Sequence, residues 1–170
     1  GYIKRLSLEN YKAQRRGGKG ITALSTKEED FVENVFVTST HNMLLYFTNM
    51  GKVYMKKCYQ IPEAGRQAKG TAIVNLLNLD PGEKISAVFP ASEYDESLNL
   101  VIITKQGIIK KTEMSAYAKI RQNGLMAVNR REGDELVSVF QTDGTKRIIV
   151  GTANGMSITF DEKDARAMGR

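Results

Sequence analysis

The sequence predicts an all-β fold made from a repeated unit of about 50 residues. A glycine followed by a short extended segment recurs at Gly1, Gly51, Gly107 and Gly155, at intervals of 50, 56 and 48 residues. Each of the last three glycines has a threonine three positions earlier and an apolar run before that. Helical periodicity is weak throughout the chain. A repeat of this length is typical of propeller-like arrays built from four-stranded blades.

Four strands can be assigned to each unit in chain order. An apolar run, a glycine turn and an extended segment together predict a β-hairpin, with first strands at 44–47, 100–103 and 148–150. A further strand is predicted ahead of each hairpin, at 35–37, 85–89 and 136–140. The fourth follows the loop after the hairpin, at 21–24, 71–77 and 125–128. Only 113–118 and 161–167 show short helical patterns.

The 170 residues can hold one ordinary core or a few small stacked repeats. We therefore expect one domain over 1–170, with repeats starting near 1, 51, 107 and 155, which amounts to roughly three blades and part of a fourth. No apolar run approaches the roughly 20 residues that a membrane-spanning helix needs. The single cysteine, Cys58, and the single histidine, His41, are expected to be structural, since they form neither a disulfide nor a metal site.

The net charge of +6 is gathered into blocks that follow the repeat. Residues 1–20 carry six basic side chains against one acidic side chain, and 51–70 and 105–124 each carry five against one. The other 110 residues are net negative, at −7. If equivalent residues occupy equivalent places in each unit, one edge of the array is positive and another is negative. A polyanionic partner along the positive edge is predicted.

The strongest local motif is a basic glycine-rich loop in the first unit. It consists of Gln14, Arg15, Arg16, Gly17, Gly18, Lys19 and Gly20. Glycine lets the backbone approach an anion closely, and arginine presents a planar fork of donors to phosphate oxygens. The loop contains no nucleophile and no general base, so it predicts phosphate binding rather than catalysis. Weaker copies at 64–70 and 120–124 keep one or two cations and a closing glycine.

The seven-residue loop closely resembles the box of the C-terminal DNA-wrapping domain of bacterial DNA gyrase A subunits. That box has the pattern Gln, basic, Arg, Gly, Gly, basic, Gly, and all seven positions match. The resemblance implies a β-pinwheel, in which neighbouring blades exchange strands, with fewer blades here than in the family's ring. It also implies that the domain wraps duplex DNA to support ATP-dependent negative supercoiling by a type IIA topoisomerase. The box is the implied anchor, and the later basic residues are auxiliary contacts.

The resemblance also sets expectations for the rest of the enzyme. ATP, Mg²⁺ and the cleavage tyrosine belong to other regions, so no cofactor or metal is expected in this chain. The implied partners are duplex DNA, the remainder of the gyrase A subunit, and the gyrase B subunit in an A2B2 enzyme of the bacterial cytoplasm. The candidate DNA-binding residues outside the box are Lys4, Arg5, Lys12, Lys52, Lys56, Lys57, Arg66, Lys69, Lys110, Lys111, Lys119 and Arg121.

Two alternatives remain open at this stage. The C-terminal domain of topoisomerase IV shares the blade repeat, but its first box is usually degraded, whereas this one is intact. A protein-binding propeller of the kelch or WD type predicts aromatic hot spots on exposed loops. Tryptophan is absent here, and the loops carry lysine, arginine and glycine. An enzyme active site is the least favoured interpretation, since no set of catalytic or metal-binding residues is grouped.

Overall fold

The computed structural model describes residues 1–10, 33–91 and 97–169. The strands there are β1 (Tyr2–Ile3), β2 (Met43–Thr48), β3 (Lys52–Lys57), β4 (Thr71–Ala72), β5 (Ile85–Ala91), β6 (Asn99–Thr104), β7 (Ile109–Glu113), β8 (Leu125–Met126), β9 (Leu136–Thr142), β10 (Arg147–Gly151) and β11 (Ser157–Asp161). The helical segments are single 3₁₀ turns at Leu8–Asn10, Cys58–Gln60, Ile73–Asn75, Met114–Tyr117 and Glu162–Asp164. The all-β prediction is confirmed, and no helix in these ranges is long and apolar enough to cross a membrane.

Three hairpins, β2–β3, β6–β7 and β10–β11, share one turn built on threonine and glycine. In each turn the glycine N–H donates to the threonine carbonyl, at 3.0 Å from Gly51, 3.0 Å from Gly107 and 3.1 Å from Gly155. The threonine Oγ1 accepts a bond from the N–H of the residue after the glycine, at 3.1 to 3.3 Å. All three glycines have φ between 78° and 84°, a conformation that other residues adopt at a cost. The hairpin prediction is therefore confirmed.

Each sheet draws strands from neighbouring units. The largest sheet has the order β5-β2-β3-β8, so a β2–β3 hairpin is flanked by two strands that come later in the chain. In the next sheet, with the order β7-β6-β9, the later strand β9 lies against β6 as β5 lies against β2. The pairing of β4 with β1 repeats the pairing of β8 with β3. A blade is therefore not one contiguous stretch of sequence, because neighbouring units exchange strands.

Both faces of the β2–β3 hairpin are covered, which explains why all six side chains of β2 are buried. On one face, Leu45, Phe47 and Val53 pack with Leu100, Ile102 and Leu136 from the second sheet. On the other face, Leu44, Tyr46 and Tyr54 pack with Ile61, Ile73 and Leu77 from the loops that follow β3. The strand alternation thus divides one hairpin between two apolar clusters.

Two acidic side chains are fixed beside the hairpin turns. Glu83, 6% exposed, accepts hydrogen bonds from the Thr48 hydroxyl at 2.7 Å and the Tyr54 hydroxyl at 2.9 Å. Asp134 holds the corresponding place in the next unit and accepts from the backbone N–H groups of Gln106 and Glu135. Burial alone would raise the pKa of Asp134, but these hydrogen bonds and the Thr104 hydroxyl lower it below its ordinary value.

Several predicted elements differ from the structure. Residues 35–37 form no strand, and by equivalence with β5 and β9 their partner would be the first strand of a hairpin ending in β1. Among the described residues no strand pairs with this segment, and a strand is stable only with a partner. The predicted strands 71–77 and 125–128 shorten to β4 and β8, and the helical patterns at 113–118 and 161–167 become 3₁₀ turns. The predicted strand at 21–24 lies outside the described residues.

Gly124→Ala is expected to lower the free energy of unfolding more than Gly107→Ala does. Both glycines have positive φ, 79° and 84°, so both variants carry a backbone penalty of about 1–2 kcal/mol. A Cβ at Gly124 would also lie 2.9 Å from the Tyr54 ring, whereas at Gly107 nothing lies within 4 Å. Urea denaturation of both variants measures the difference. Equal losses would show that the Tyr54 contact does not hold this loop in place.

Candidate nucleic-acid interface

The loops at the box position lead into the short outer strands. The second loop closes at Gly70 before β4, and the third closes at Gly124 before β8, which is an edge strand of the largest sheet. Both closing glycines have positive φ and touch the preceding unit: a Cβ at Gly70 would lie 2.5 Å from the Ile3 carbonyl oxygen. These loops therefore lie at the outer edge of the sheets. The first box, Gln14 to Gly20, and Lys12 fall outside the described residues.

Four predicted DNA contacts instead hold backbone carbonyls. The Lys4 ammonium donates to the carbonyl oxygens of Gly65, Arg66 and Ala68, at 2.7 to 3.0 Å. Lys111 is 8% exposed and donates to the Glu162 carbonyl oxygen at 2.7 Å. Two further cations do the same at single carbonyls, namely Arg5 at Ile61 and Lys110 at Ala127. These four side chains carry positive charge, but the N–H groups named above are bonded to carbonyl oxygens of the protein itself.

Arg5 and Lys111 occupy equivalent positions, four residues after Gly1 and Gly107. Each forms an isolated parallel bridge to the following unit, Arg5 to Glu63 and Lys111 to Ala167. The Arg5 guanidinium also lies 3.6 Å from the Glu63 carboxylate. The assignment of Lys111 as a DNA contact is corrected here, because a buried ammonium that is bonded to a carbonyl cannot reach a phosphate without leaving that bond.

Two lysines of β3 also have partners inside the protein. Lys52 forms an ion pair with Asp80, and this hydrogen bond raises the pKa of Lys52. Lys57 donates a long bond of 3.5 Å to the His41 carbonyl oxygen. In the next unit, burial lowers the pKa of Lys110, as expected for an ammonium that is partly removed from water.

The remaining predicted cations face outward to different degrees. Lys56 and Arg66 are half-buried, and Lys69, Lys119 and Arg121 are exposed. The Lys69 ammonium lies 3.9 Å from the centroid of the Tyr2 ring, a cation–π contact that restrains a long side chain on the surface. These five residues belong to β3 or to the loops at the box position. Among the described residues predicted to bind DNA, they are the ones best placed to meet a polyanion.

Sequence reasoning missed Arg130 and Arg131. They line a cleft of about 340 Å³ together with Met126, Asn129, Glu132 and Gly133. Arg130 donates to the Asp134 carbonyl oxygen at 2.7 Å, and Arg131 is exposed. The charge count hid this pair because three acidic residues follow it directly at 132–135. An adjacent arginine pair next to an outer strand was the available signal.

The two ends of the strands carry different charge. The hairpin turns meet the loops that contain Asp80, Glu83, Glu132, Asp134 and Glu135. The loops at the box position lie instead against β1 and β3, through Gly70 and Gly124. Within the described ranges, no group of three or more metal-binding side chains comes together. The arrangement can therefore hold a linear polyanion by charge.

Comparison with known proteins gives matches along nearly the whole chain. Residues 1–39, 42–92, 98–143 and 146–170 match the family described as DNA gyrase C-terminal domain, beta-propeller. The DNA gyrase A subunit of Clostridium acetobutylicum is 57% identical over the whole chain, which spans 20% of that relative's length.

Two solved structures resemble the chain over nearly its full length. The C-terminal domain of DNA topoisomerase IV matches 99% of this chain and 51% of its own, with a TM-score of 0.85 and 28% identity. The DNA gyrase A C-terminal domain matches 100% of this chain and 54% of its own, with a TM-score of 0.69 and 25% identity. The propeller-like architecture is thus confirmed.

Lys111→Met is expected to destabilise the protein by about 1–3 kcal/mol, because it leaves the Glu162 carbonyl oxygen without its charged donor in a buried place. Lys119→Met, at an exposed lysine of the same unit, is the matched control and is expected to change stability by less than about 0.5 kcal/mol. Equilibrium denaturation measures both variants. Similar stability in the two variants would show that the bond from Lys111 to the Glu162 carbonyl oxygen does not stabilise the fold, and Lys111 would again be a candidate DNA contact.

Proposed function

The chain belongs to the DNA gyrase C-terminal domain family, and we propose that it binds duplex DNA and bends it around the outer edge of its sheets. The observation that carries this proposal is the recurrence of a basic loop in the second and third units, each ending in a closing glycine, Gly70 or Gly124, that packs on the preceding unit. A regular array of such loops forms a line of positive charge with the spacing of the units. A DNA duplex that follows this line is bent.

Bending requires several contacts at once. Smooth bending of a 20–30 base-pair site through 40–90° costs on the order of 1–6 kcal/mol, and phosphate contacts from more than one unit can offset that cost. The described loops offer lysine and arginine, which recognise the DNA backbone, and no recognition helix that enters a groove. Binding in this proposal therefore depends on salt and on DNA deformability more than on base sequence.

In the same proposal the chain is a non-catalytic part of the gyrase A subunit. It acts with the remainder of that polypeptide and with the gyrase B subunit, in an A2B2 enzyme of the bacterial cytoplasm. The ATP and Mg²⁺ that drive supercoiling are assigned to other regions of that enzyme. The wrap supplies a second DNA segment to the strand-passing region with a fixed handedness, which makes the supercoiling negative.

The topoisomerase IV similarity supports a second candidate, a C-terminal domain that binds DNA without a strong wrap. The backbone resemblance to that domain favours it, because the two families share the blade architecture. The intact seven-residue box and the identity to a gyrase A subunit favour the wrapping function. Wrapping measurements distinguish the two.

Neutralising Arg15, Arg16 and Lys19 together is expected to flatten the dependence of log K on log salt by up to about 2.7, at roughly 0.9 per phosphate contact. Fluorescence anisotropy of a labelled duplex, titrated at several salt concentrations, measures the slope. The control replaces Lys84 and Lys105, two exposed lysines at the hairpin-turn end, and is expected to leave the slope unchanged. A triple variant with the original slope would remove the box from the phosphate contacts.

A gyrase A subunit with its complete C-terminal domain is expected to shift the linking number of a nicked and religated plasmid in one direction. The 170-residue chain is expected to bind the same plasmid and shift it less, because it presents fewer basic loops. Topoisomer distributions on agarose gels, compared at equal amounts of bound protein, measure this. An equal shift by the shorter chain would mean that the additional blades are dispensable for wrapping.

A further inference from the structure

The second box-position loop, residues 61–70, is organised around the ammonium of Lys4. A lysine ammonium has three N–H donors. Those of Lys4 lie 3.0 Å from the Gly65 carbonyl oxygen, 2.7 Å from that of Arg66 and 2.9 Å from that of Ala68. Three carbonyls of one short loop thus converge on a single cation that lies just after β1.

The rest of the loop is held to the same segment at both ends. The Ala64 N–H donates to the Arg5 carbonyl oxygen at 3.1 Å, and the Arg5 N–H donates to the Pro62 carbonyl oxygen at 3.4 Å. At the other end Gly70 lies against Ile3, where only a residue without a Cβ fits. The loop is therefore anchored along its length, and its geometry is set before any ligand arrives.

The positions of the carbonyls determine the directions of the amides. In a planar trans peptide the C=O and the following N–H point in opposite directions. Because the carbonyls of Arg66 and Ala68 turn toward Lys4, the N–H groups of Gln67 and Lys69 point to the opposite side of the loop. The amide between them, that of Ala68, donates instead to the Gly65 carbonyl oxygen at 3.1 Å, so the two outward amides are alternate ones on one side of the loop. Backbone N–H groups that converge on one side of a loop can bind an anion. The same loop carries the cationic side chains of Arg66 and Lys69.

We propose that loop 61–70 is a second phosphate-binding loop and that Lys4 is its positioning residue. Lys4 holds the carbonyls on the inner side and thereby directs the amides of Gln67 and Lys69 outward, where they meet a phosphate oxygen of the DNA backbone together with Arg66 and Lys69. This inference rests on the proposed function for its ligand, a phosphodiester. It replaces the expectation that Lys4 itself contacts DNA, since all three of its donors already have acceptors.

The next unit supports a positioning role at this place in the repeat. Tyr54 lies three residues after Gly51, as Lys4 lies three residues after Gly1. Its ring packs against Gly124, the closing glycine of the third loop. The same position therefore holds the next loop in both units, by an ammonium in one case and by an aromatic ring in the other. The equivalent residue of the third unit, Lys110, donates to the single carbonyl oxygen of Ala127. Three carbonyls of one loop converge on the ammonium only at Lys4 among these three residues, so the proposed amide site is assigned to loop 61–70.

The decisive variant is Lys4→Arg, which keeps the charge and replaces a compact ammonium by a planar fork. A direct phosphate contact would bind DNA at least as well through arginine, with an unchanged salt slope. A positioning residue behaves differently, since the fork does not match three carbonyls around one point. We expect weaker DNA binding and a slope lower by up to about 1.8, the share of Arg66 and Lys69 at roughly 0.9 each.

A double-mutant comparison separates the two roles further. In a chain that carries Arg66→Gln and Lys69→Gln, adding Lys4→Arg is expected to leave the salt slope unchanged, because the loop no longer contributes its cations. It is also expected to cost less affinity than in the original chain, because only the amide contacts remain to be lost. An equal loss in both backgrounds would overturn the proposal. Lys105→Arg, at an exposed lysine of the β6–β7 turn, is the matched control, and thermal unfolding shows that each variant is folded.

A measurement without DNA keeps this inference separate from the proposed function. Titration with inorganic phosphate, followed by amide NMR, is expected to shift Gln67 and Lys69 in the original chain and not in Lys4→Arg. Shifts of equal size in both chains, or in neither, would overturn the role of Lys4. If the chain bound phosphate at these amides but did not bind duplex DNA, the proposed function would fail and the loop assignment would stand.

Discussion

The basic loops are placed by the pairing of a two-residue strand from one unit with the strand that follows the repeat glycine of the unit before it. Ile3 pairs with Thr71, and Val53 pairs with Leu125. Each pairing adds the outermost strand to a sheet and draws the preceding loop to the outer edge. The pairings are short, so they rely on the closing glycines beside them and on the apolar clusters beneath. Because neighbouring units exchange strands in this way, the basic residues that recur in the sequence come to lie on the outer edge of the sheets.

The sequence predicted the features that depend on neighbouring residues. The hairpins follow from threonine, glycine and the flanking apolar runs, all within about ten residues, and the structure has them where expected. The segment 35–37 has the same local signals but forms no strand, because a strand also needs a partner that local sequence does not reveal. The resemblance to a known family supplied the exchange of strands between blades, which the repeat period alone does not contain.

The candidate site was less predictable, because charge does not indicate where a side chain points. Lys110 and Lys111 look like two ordinary rim lysines, yet the second is buried against a backbone carbonyl of the following unit. The acidic residues were assigned to one surface, but Glu83 and Asp134 turn inward and fix the hairpin turns. Arg131 was overlooked because its acidic neighbours cancelled it in the charge count. Long-range contacts decide each of these cases.

The basic residues of the repeat therefore fall into two groups with different roles, which a count of charges along the sequence does not separate. Some face outward, as Lys119 and Arg121 do, while others tie the loops to the preceding unit by donating to carbonyls. The second role serves the first, since a cation on a freely moving loop loses conformational entropy when it meets a phosphate, and a cation on a fixed loop loses less. Cations held behind the loops also add to the positive potential in front of them. An edge that binds DNA in the proposed way thus carries more basic residues than it has phosphate contacts, and the additional cations lie where one unit meets the next.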